Sequence, residues 1–271
     1  MQITDKVFVV TGGGNGIGRE VVLGLLARGA RVAALDLRQS SLEETASLAT
    51  VPEGRLSLHT VDVSSQDEVT RAFAEVISAH GHIDGLLNVA GIIQQFIPLL
   101  DLDIAEIEKV MGVNFWGVVY TTKAALPHLV TRPEGCVINV ASMGGFIPVP
   151  GQSAYGASKA AVKLLTEGLY AELRDTDIAV TVVFPGAIGT DITKNSGVST
   201  PGSADRASKG GSSFSMTSAQ DAAAQIIEAV EKGPYRITIG KDATMLDRLS
   251  RLAPQRATEM IAKKMASLLD R

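Results

Sequence analysis

The chain has 271 residues, of which 45% are hydrophobic, 20% charged and 4% aromatic, a composition that suits a globular fold and excludes a disordered or fibrous one. Its formal net charge of -4 leaves no electrostatic footprint for nucleic acid. The single cysteine, Cys136, excludes an internal disulfide framework and a cysteine-built metal site, and fits a reducing compartment.

The N-terminus, MQITDKVFVVTGG, lacks a basic segment followed by an apolar run and a small-residue cleavage site. No apolar run approaches the roughly 20 residues of a membrane span, so a cytoplasmic protein is expected. Residues 7–10 are a short β-branched and aromatic run leading straight into TGGGNGIGREVVLGLLARG. The pattern predicts a strand that stops at Gly12 and a helix that begins near Ile17, with Val21, Val22, Leu25 and Leu26 on its apolar face. A strand feeding a glycine-rich turn that opens a helix is a phosphate cradle: backbone N–H groups and the helix N-terminus face the anion. The spacing Gly12-x3-Gly16-x-Gly18 differs from the commoner G-x-G-x-x-G.

A second strand, 31–35, ends in Asp36, 18 residues beyond Gly18. That is close to the spacing of about 20 at which an acid meets an adenosine ribose. A carboxylate there repels a 2′-phosphate, so Asp36 selects NAD over NADP. Asn15 and Leu37 supply no cation beside it, and Arg38 stands two places on. A polar helix (40–49), a strand (55–61) running into Asp62-Val63, and a helix opened by Ser64-Ser65 with Asp67 and Glu68 in its first turn come next. The alternating His80 and His82 read as surface. A fourth strand, 82–88, closes in Asn88-Val89-Ala90-Gly91. This rhythm predicts an α/β fold, a Rossmann-type doubly wound parallel sheet of about seven strands with helices on both faces, in a single domain. Ligands of such sheets lie beyond the C-terminal strand ends, where Gly12, Asp36, Asp62 and Asn88 all fall.

A long helical segment, 103–130, carries Asn114 inside the apolar run VMGVNFWGVVY. A buried asparagine needs a hydrogen-bond partner, from neighbouring backbone or from the surroundings of Lys159. The strand 135–140 delivers Ser142 at its C-terminal end. After Gln152 the sequence SAYGASKAAVKLLTEGLYAEL reads as a helix, on which Tyr155 and Lys159 share one face. A free phenol, with a pKa of about 10, is a poor base at neutral pH, and a neighbouring ammonium favours its ionised form. A sixth strand, 178–184, ends in Pro185-Gly186-Ala187-Ile188-Gly189-Thr190. The Ser-, Gly- and Lys-rich stretch 191–217 reads as a substrate lid loop, followed by a helix over 218–232 and a last strand over 236–239. Residues 1–240 are then the dinucleotide-binding and catalytic unit. Residues 241–271, with Met245, Leu249, Leu252, Ile261, Met265 and Leu268 at helical spacing around Pro254, read as an amphipathic helical extension. It packs on its own domain or a subunit, or touches a membrane surface.

Taken together, these stretches resemble the short-chain dehydrogenase/reductase family from about residue 6 to residue 239. The matching residues are Thr11-Gly12-x3-Gly16-Ile17-Gly18, Asp36, Asp62-Val63, Asn88-x-Ala90-Gly91, Asn114, Ser142, Tyr155-x3-Lys159 and Pro185-Gly186-x3-Thr190. Val89 departs from the pattern, which often has a second asparagine there. The resemblance implies that Tyr155 is the acid/base, that Lys159 lowers the Tyr155 pKa and bonds the nicotinamide ribose, and that Ser142 holds the substrate oxygen. Asn114 would anchor a water joining Lys159 to solvent. Gly12, Asn15, Gly16, Ile17 and Gly18 would surround the pyrophosphate, and Asp62 and Val63 the adenine. Asn88, Ala90, Gly91, Pro185 and Gly186 would complete the cofactor site, with Ile188 and Thr190 on the carboxamide. No metal is implied. A homodimer or homotetramer is, built through helices 103–130 and 152–173.

The expected function is NAD(H)-dependent interconversion of a secondary alcohol and a ketone. Ile93, Phe96, Met143, Phe146 and Val149 are expected to line a pocket for a lipophilic or ring-shaped small molecule. A 3-oxoacyl thioester reductase is the alternative within the class. A non-catalytic dinucleotide sensor is the alternative outside it, disfavoured by the presence of Asn114, Ser142, Tyr155 and Lys159 together.

Overall fold

The computed structural model describes residues 1–198 and 216–266. Nine strands lie among them: β1 (Val7–Thr11), β2 (Arg31–Asp36), β3 (Leu56–Thr60), β4 (Gly85–Asn88), β5 (Gly135–Val140), β6 (Ile178–Pro185), β7 (Ile188–Gly189), β8 (Thr217–Ser218) and β9 (Arg236–Ile239). Seven of them form one sheet in the order β3-β2-β1-β4-β5-β6-β9, every pairing parallel. The order runs outward both ways from β1 and β4. A crevice therefore opens beyond their C-terminal ends, where connections leave toward opposite faces.

The helices are α1 (Gly16–Ala27), α2 (Gln39–Leu48), α3 (Gln66–His80), α4 (Ile104–Met111), α5 (Gly117–Leu129), α6 (Ser153–Leu173), α7 (Ile192–Asn195), α8 (Ala219–Lys232), α9 (Lys241–Leu252) and α10 (Pro254–Lys264). Covered on both faces, β1 and β5 are buried at every position, which is why they read as unbroken apolar runs. Side chains of β1 alternate between two core layers. Phe8 and Val10 pack with Leu25 of α1 and Ile226 of α8, while Val9 packs with Val76 of α3 and Leu129 of α5. The result is a single Rossmann-type domain.

Several boundaries differ from the reading above. Strand β4 begins at Gly85 rather than at residue 82. The segment 103–130 is not one regular helix: between α4 and α5 a wide turn, Gly112–Trp116, is closed by a hydrogen bond from the Gly117 N–H to the Gly112 carbonyl, five residues back. His80 is not on the surface. It ends α3 at 5% exposure, its Nε2 paired with Ser57 Oγ at 2.8 Å. Most of the expected lid, 191–217, lies outside the described residues. Its described ends are α7 and a short parallel pairing of β7 with β8. In the C-terminal helices, Leu246, Ala257 and Ile261 are buried against Ile147, so their apolar faces meet the body of the protein. Among the described residues no helix is long and apolar enough to cross a membrane.

Candidate active site

Strand ends and the segments that follow them enclose a cleft of about 320 Å³. At its head is the glycine turn between β1 and α1. Gly12 sits at φ +70°, and a Cβ there would press on the Ala90 backbone; one at Gly18 would run into the Gly12 carbonyl. Only glycine lets the chain turn so sharply at this contact. Thr11 Oγ1 ties the two strand ends together by accepting from the N–H groups of Val89 and Ala90 at 3.0 and 3.1 Å. Asn15, at the N-cap of α1, makes no side-chain cap, and no acid stands in the first turn. The free amides of that turn are a ready anion site.

Asp36 faces the cleft at the end of β2. Its carboxylate accepts from the Gly14 N–H at 3.0 Å and the Arg38 N–H at 3.1 Å. The Arg38 guanidinium donates to Asn195 Oδ1 at 2.9 Å. Arg19, the other nearby cation, pairs with Glu44 and the Gly14 carbonyl. Asp62 and Val63 line the next stretch of wall; Asp62 Oδ1 accepts from Ser64 N–H and Oγ–H at 2.9 and 2.6 Å.

Ser142, Tyr155 and Lys159 meet on the opposite wall. Ser142 leaves β5 in an extended conformation, and its Oγ accepts from the Gly144 N–H at 3.0 Å, which aims the hydroxyl. The Tyr155 N–H, one of the four amides of the first turn of α6 without an intrahelical partner, donates to Gln94 Oε1 at 3.0 Å. Burial pushes the phenol above its ordinary value, with the Ser142 hydroxyl pulling the other way. The Lys159 ammonium donates to the Val140 carbonyl at 2.9 Å. Lys159 is 3% exposed, and burial brings its own pKa from 10.5 down to about 8.

Asn114 is fully buried and does not reach the cleft surface. The wide turn at Gly112–Trp116 directs it to the Ile92 N–H and carbonyl, both at 2.9 Å, and to Ser158 Oγ at 2.9 Å. Behind Gly91 it converges with Lys159: a Cβ on that glycine would meet Lys159 Nζ at 3.2 Å and Asn114 Oδ1 at 3.3 Å. Among the described residues no group of His, Cys, Asp and Glu could hold a metal ion.

The family model for short chain dehydrogenase matches residues 6–200. The chain belongs to that family. "Putative oxidoreductase SadH" of Mycobacterium tuberculosis is 34% identical over 266 residues, covering 96% of this chain and 95% of the relative. Levodione reductase of Leifsonia aquatica is 34% identical over 197 residues, 72% of this chain and 74% of its own. A crystal structure of levodione reductase superposes with a TM-score of 0.81 at 27% identity, over 89% of this chain and 98% of that one. A short chain dehydrogenase from Burkholderia cenocepacia in complex with NADP superposes at 0.78 and 25% identity, over 96% and 99% of the two chains.

Short-chain dehydrogenases bind a nicotinamide dinucleotide, and the glycine turn with its uncapped helix start fits one. Of the residues assigned to that cofactor from the sequence, Gly12, Asn15, Gly16, Ile17, Gly18, Asp36, Asp62, Val63, Ala90, Gly91, Tyr155, Lys159, Pro185, Gly186, Ile188 and Thr190 line the cleft. Asn88 does not. At 2% exposure it points into the sheet, donating to Asn139 Oδ1 at 2.9 Å and accepting from Thr121 Oγ1 at 2.7 Å. None of the residues expected to form substrate walls lines this cleft. Ile93 is buried with its N–H on Ser196 Oγ, while Met143 and Phe146 pack toward Leu246 of α9. Neither Phe96 nor Val149 lines the cleft, whose apolar walls include Ile92, Val113, Ala141 and Ile192. Gln94 went unread in the sequence. Its only signal there is a polar side chain in the apolar run GIIQQFIP, and in the fold it is fully buried, with Nε2 on the Gly151 carbonyl.

Proposed function

We propose that the protein is an NAD(H)-dependent oxidoreductase that interconverts a small-molecule secondary alcohol and the corresponding ketone. One observation carries the reading: Ser142, Tyr155 and buried Lys159 meet on the wall of a cleft that also holds the Asp36 carboxylate. When bound, the nicotinamide supplies the hydride chemistry. Ser142, aimed by the Gly144 amide, holds the substrate oxygen, an interaction that strengthens as charge develops on that atom. Tyr155 takes the proton from the alcohol oxygen during oxidation and returns one to the carbonyl oxygen during reduction. Lys159, converging with Asn114 behind Gly91, passes that proton on toward solvent through a water anchored by Asn114. The amides of Ile17 and its neighbours hold pyrophosphate, Asp62 and Val63 flank the adenine, and Pro185, Gly186, Ile188 and Thr190 take the carboxamide end.

The preference for NAD rests on this chain's own Asp36. The Burkholderia cenocepacia relative holds NADP; here the carboxylate is oriented by two amides, and the nearest cation is engaged by Asn195. That a relative is a levodione reductase supports a reducible small molecule as substrate. Trp116, Leu164 and Tyr170 stay exposed on the turn before α5 and on α6, which supports a homodimer or homotetramer. The single cysteine, Cys136, forms no internal disulfide, which suits the cytoplasm. Initial rates with NAD and NADP in parallel, over secondary alcohols and ketones spanning steroids, cyclic alcohols, acyloins and 3-oxoacyl thioesters, test the reading. NAD-linked turnover of an alcohol–ketone pair is expected. Turnover with NADP alone would remove the role given to Asp36.

A further inference from the structure

We propose that Asp242, in the first turn of α9, is a positioning residue for the nicotinamide half of the cofactor. The proposal rests on the reading of the cleft as an NAD(H) site. Asp242 is not among the cleft walls. Its Oδ2 accepts from the Ala187 N–H at 2.8 Å, in the middle of the turn whose Pro185, Gly186 and Ile188 do form the wall. Two glycines clear the space for this carboxylate: a Cβ on Gly186 or on Gly240 would fall directly onto it. Gly240, at φ +98°, also carries the chain back from the end of β9 so that α9 starts beneath the turn.

The other holds on the turn come from backbone. The Gly186 N–H donates to the Ile239 carbonyl at 2.8 Å, and the Thr217 N–H to the Ala187 carbonyl at 3.0 Å. Asp242 therefore adds a charged acceptor to a peptide whose carbonyl is already fixed, and hydrogen bonds to ionised acceptors are about twice as strong as neutral ones. With the Ala187 peptide locked, the direction in which Ile188 and Thr190 leave the turn is set before any ligand enters. An acid in a first helical turn also favours the helix dipole, and that role needs the charge but not this bond.

Dissociation constants for NADH and for ADP-ribose, which lacks the nicotinamide, separate the two roles. In Asp242→Ala, NADH binding should weaken about tenfold, equivalent to roughly 1.4 kcal/mol, while ADP-ribose stays within about twofold of wild type. Asp242→Asn keeps an oxygen acceptor at the same reach and should recover most of the loss. Asp242→Glu keeps the charge but displaces the carboxylate by a methylene, and should behave like the alanine variant. Equal weakening of both ligands, an unchanged NADH affinity in Asp242→Ala, or a Glu variant like wild type would overturn the proposal. If Asp242→Ala does not fold, the Asn and Glu variants carry the same test. Failure of the wild type to bind NADH would instead bring down the NAD(H) reading, and the proposal with it.

Discussion

Lys159 is a lysine kept in the interior against its preference for water. Burial lowers its pKa from 10.5 to about 8, and its ammonium donates to the Val140 carbonyl. The unfolded chain binds the proton up to about pH 10.4, so between pH 8 and that value it holds more protons than the folded protein. Stability therefore rises with pH across that window, and below pH 8 the full cost of the buried charge is present. Replacing Lys159 with methionine should stabilise the cofactor-free protein at pH 7 by about 1–3 kcal/mol, after allowing for the lost hydrogen bond. That gain should fade as the pH approaches 10.5, and denaturation at pH 7 and pH 10 measures it. A variant less stable than wild type at pH 7 would contradict the assignment.

Asn88 shows how an element uses a residue that looks like part of the site. It joins β4 to Asn139 of β5 and Thr121 of α5, and Asn139 passes the network on to Thr166 of α6 at 2.9 Å, the helix that carries Tyr155. Truncation to alanine strands buried polar partners, and Asn88→Ala should lose about 1–3 kcal/mol of stability with NADH affinity within about twofold of wild type. Denaturation and an NADH titration on one preparation check both halves. Unchanged stability with lost binding would restore Asn88 to the cofactor site. The core strands were legible within three residues at either end, because helix-covered parallel strands such as 135–140 must be apolar throughout. The turn at Gly112–Trp116 was not: its extra residue per turn leaves no mark in composition, and only the need of Asn114 for a partner pointed there. His80 was misread because its partner Ser57 lies 23 residues away, on β3.

At the scale of the whole molecule, the cleft was legible because the fold gathers strand ends, and most of the motifs read in the sequence line it, joined there by Tyr155 and Lys159 of α6. The substrate walls were not, since side chains near Ser142 are contested by an element more than 90 residues on: α9 and α10 claim Met143, Phe146 and Ile147 for their own packing. The extension thus meets the site twice, through that cluster and through Asp242 on the Ala187 amide. What unites these parts is proton transfer at Tyr155, and the most direct measurement compares Tyr155→Phe with wild type for both NADH binding and turnover of the best alcohol–ketone pair. General acid–base groups contribute about 10²–10⁴-fold, so turnover should fall by that order while the NADH dissociation constant stays within a few-fold of wild type. Turnover at the wild-type rate in Tyr155→Phe would contradict the central claim.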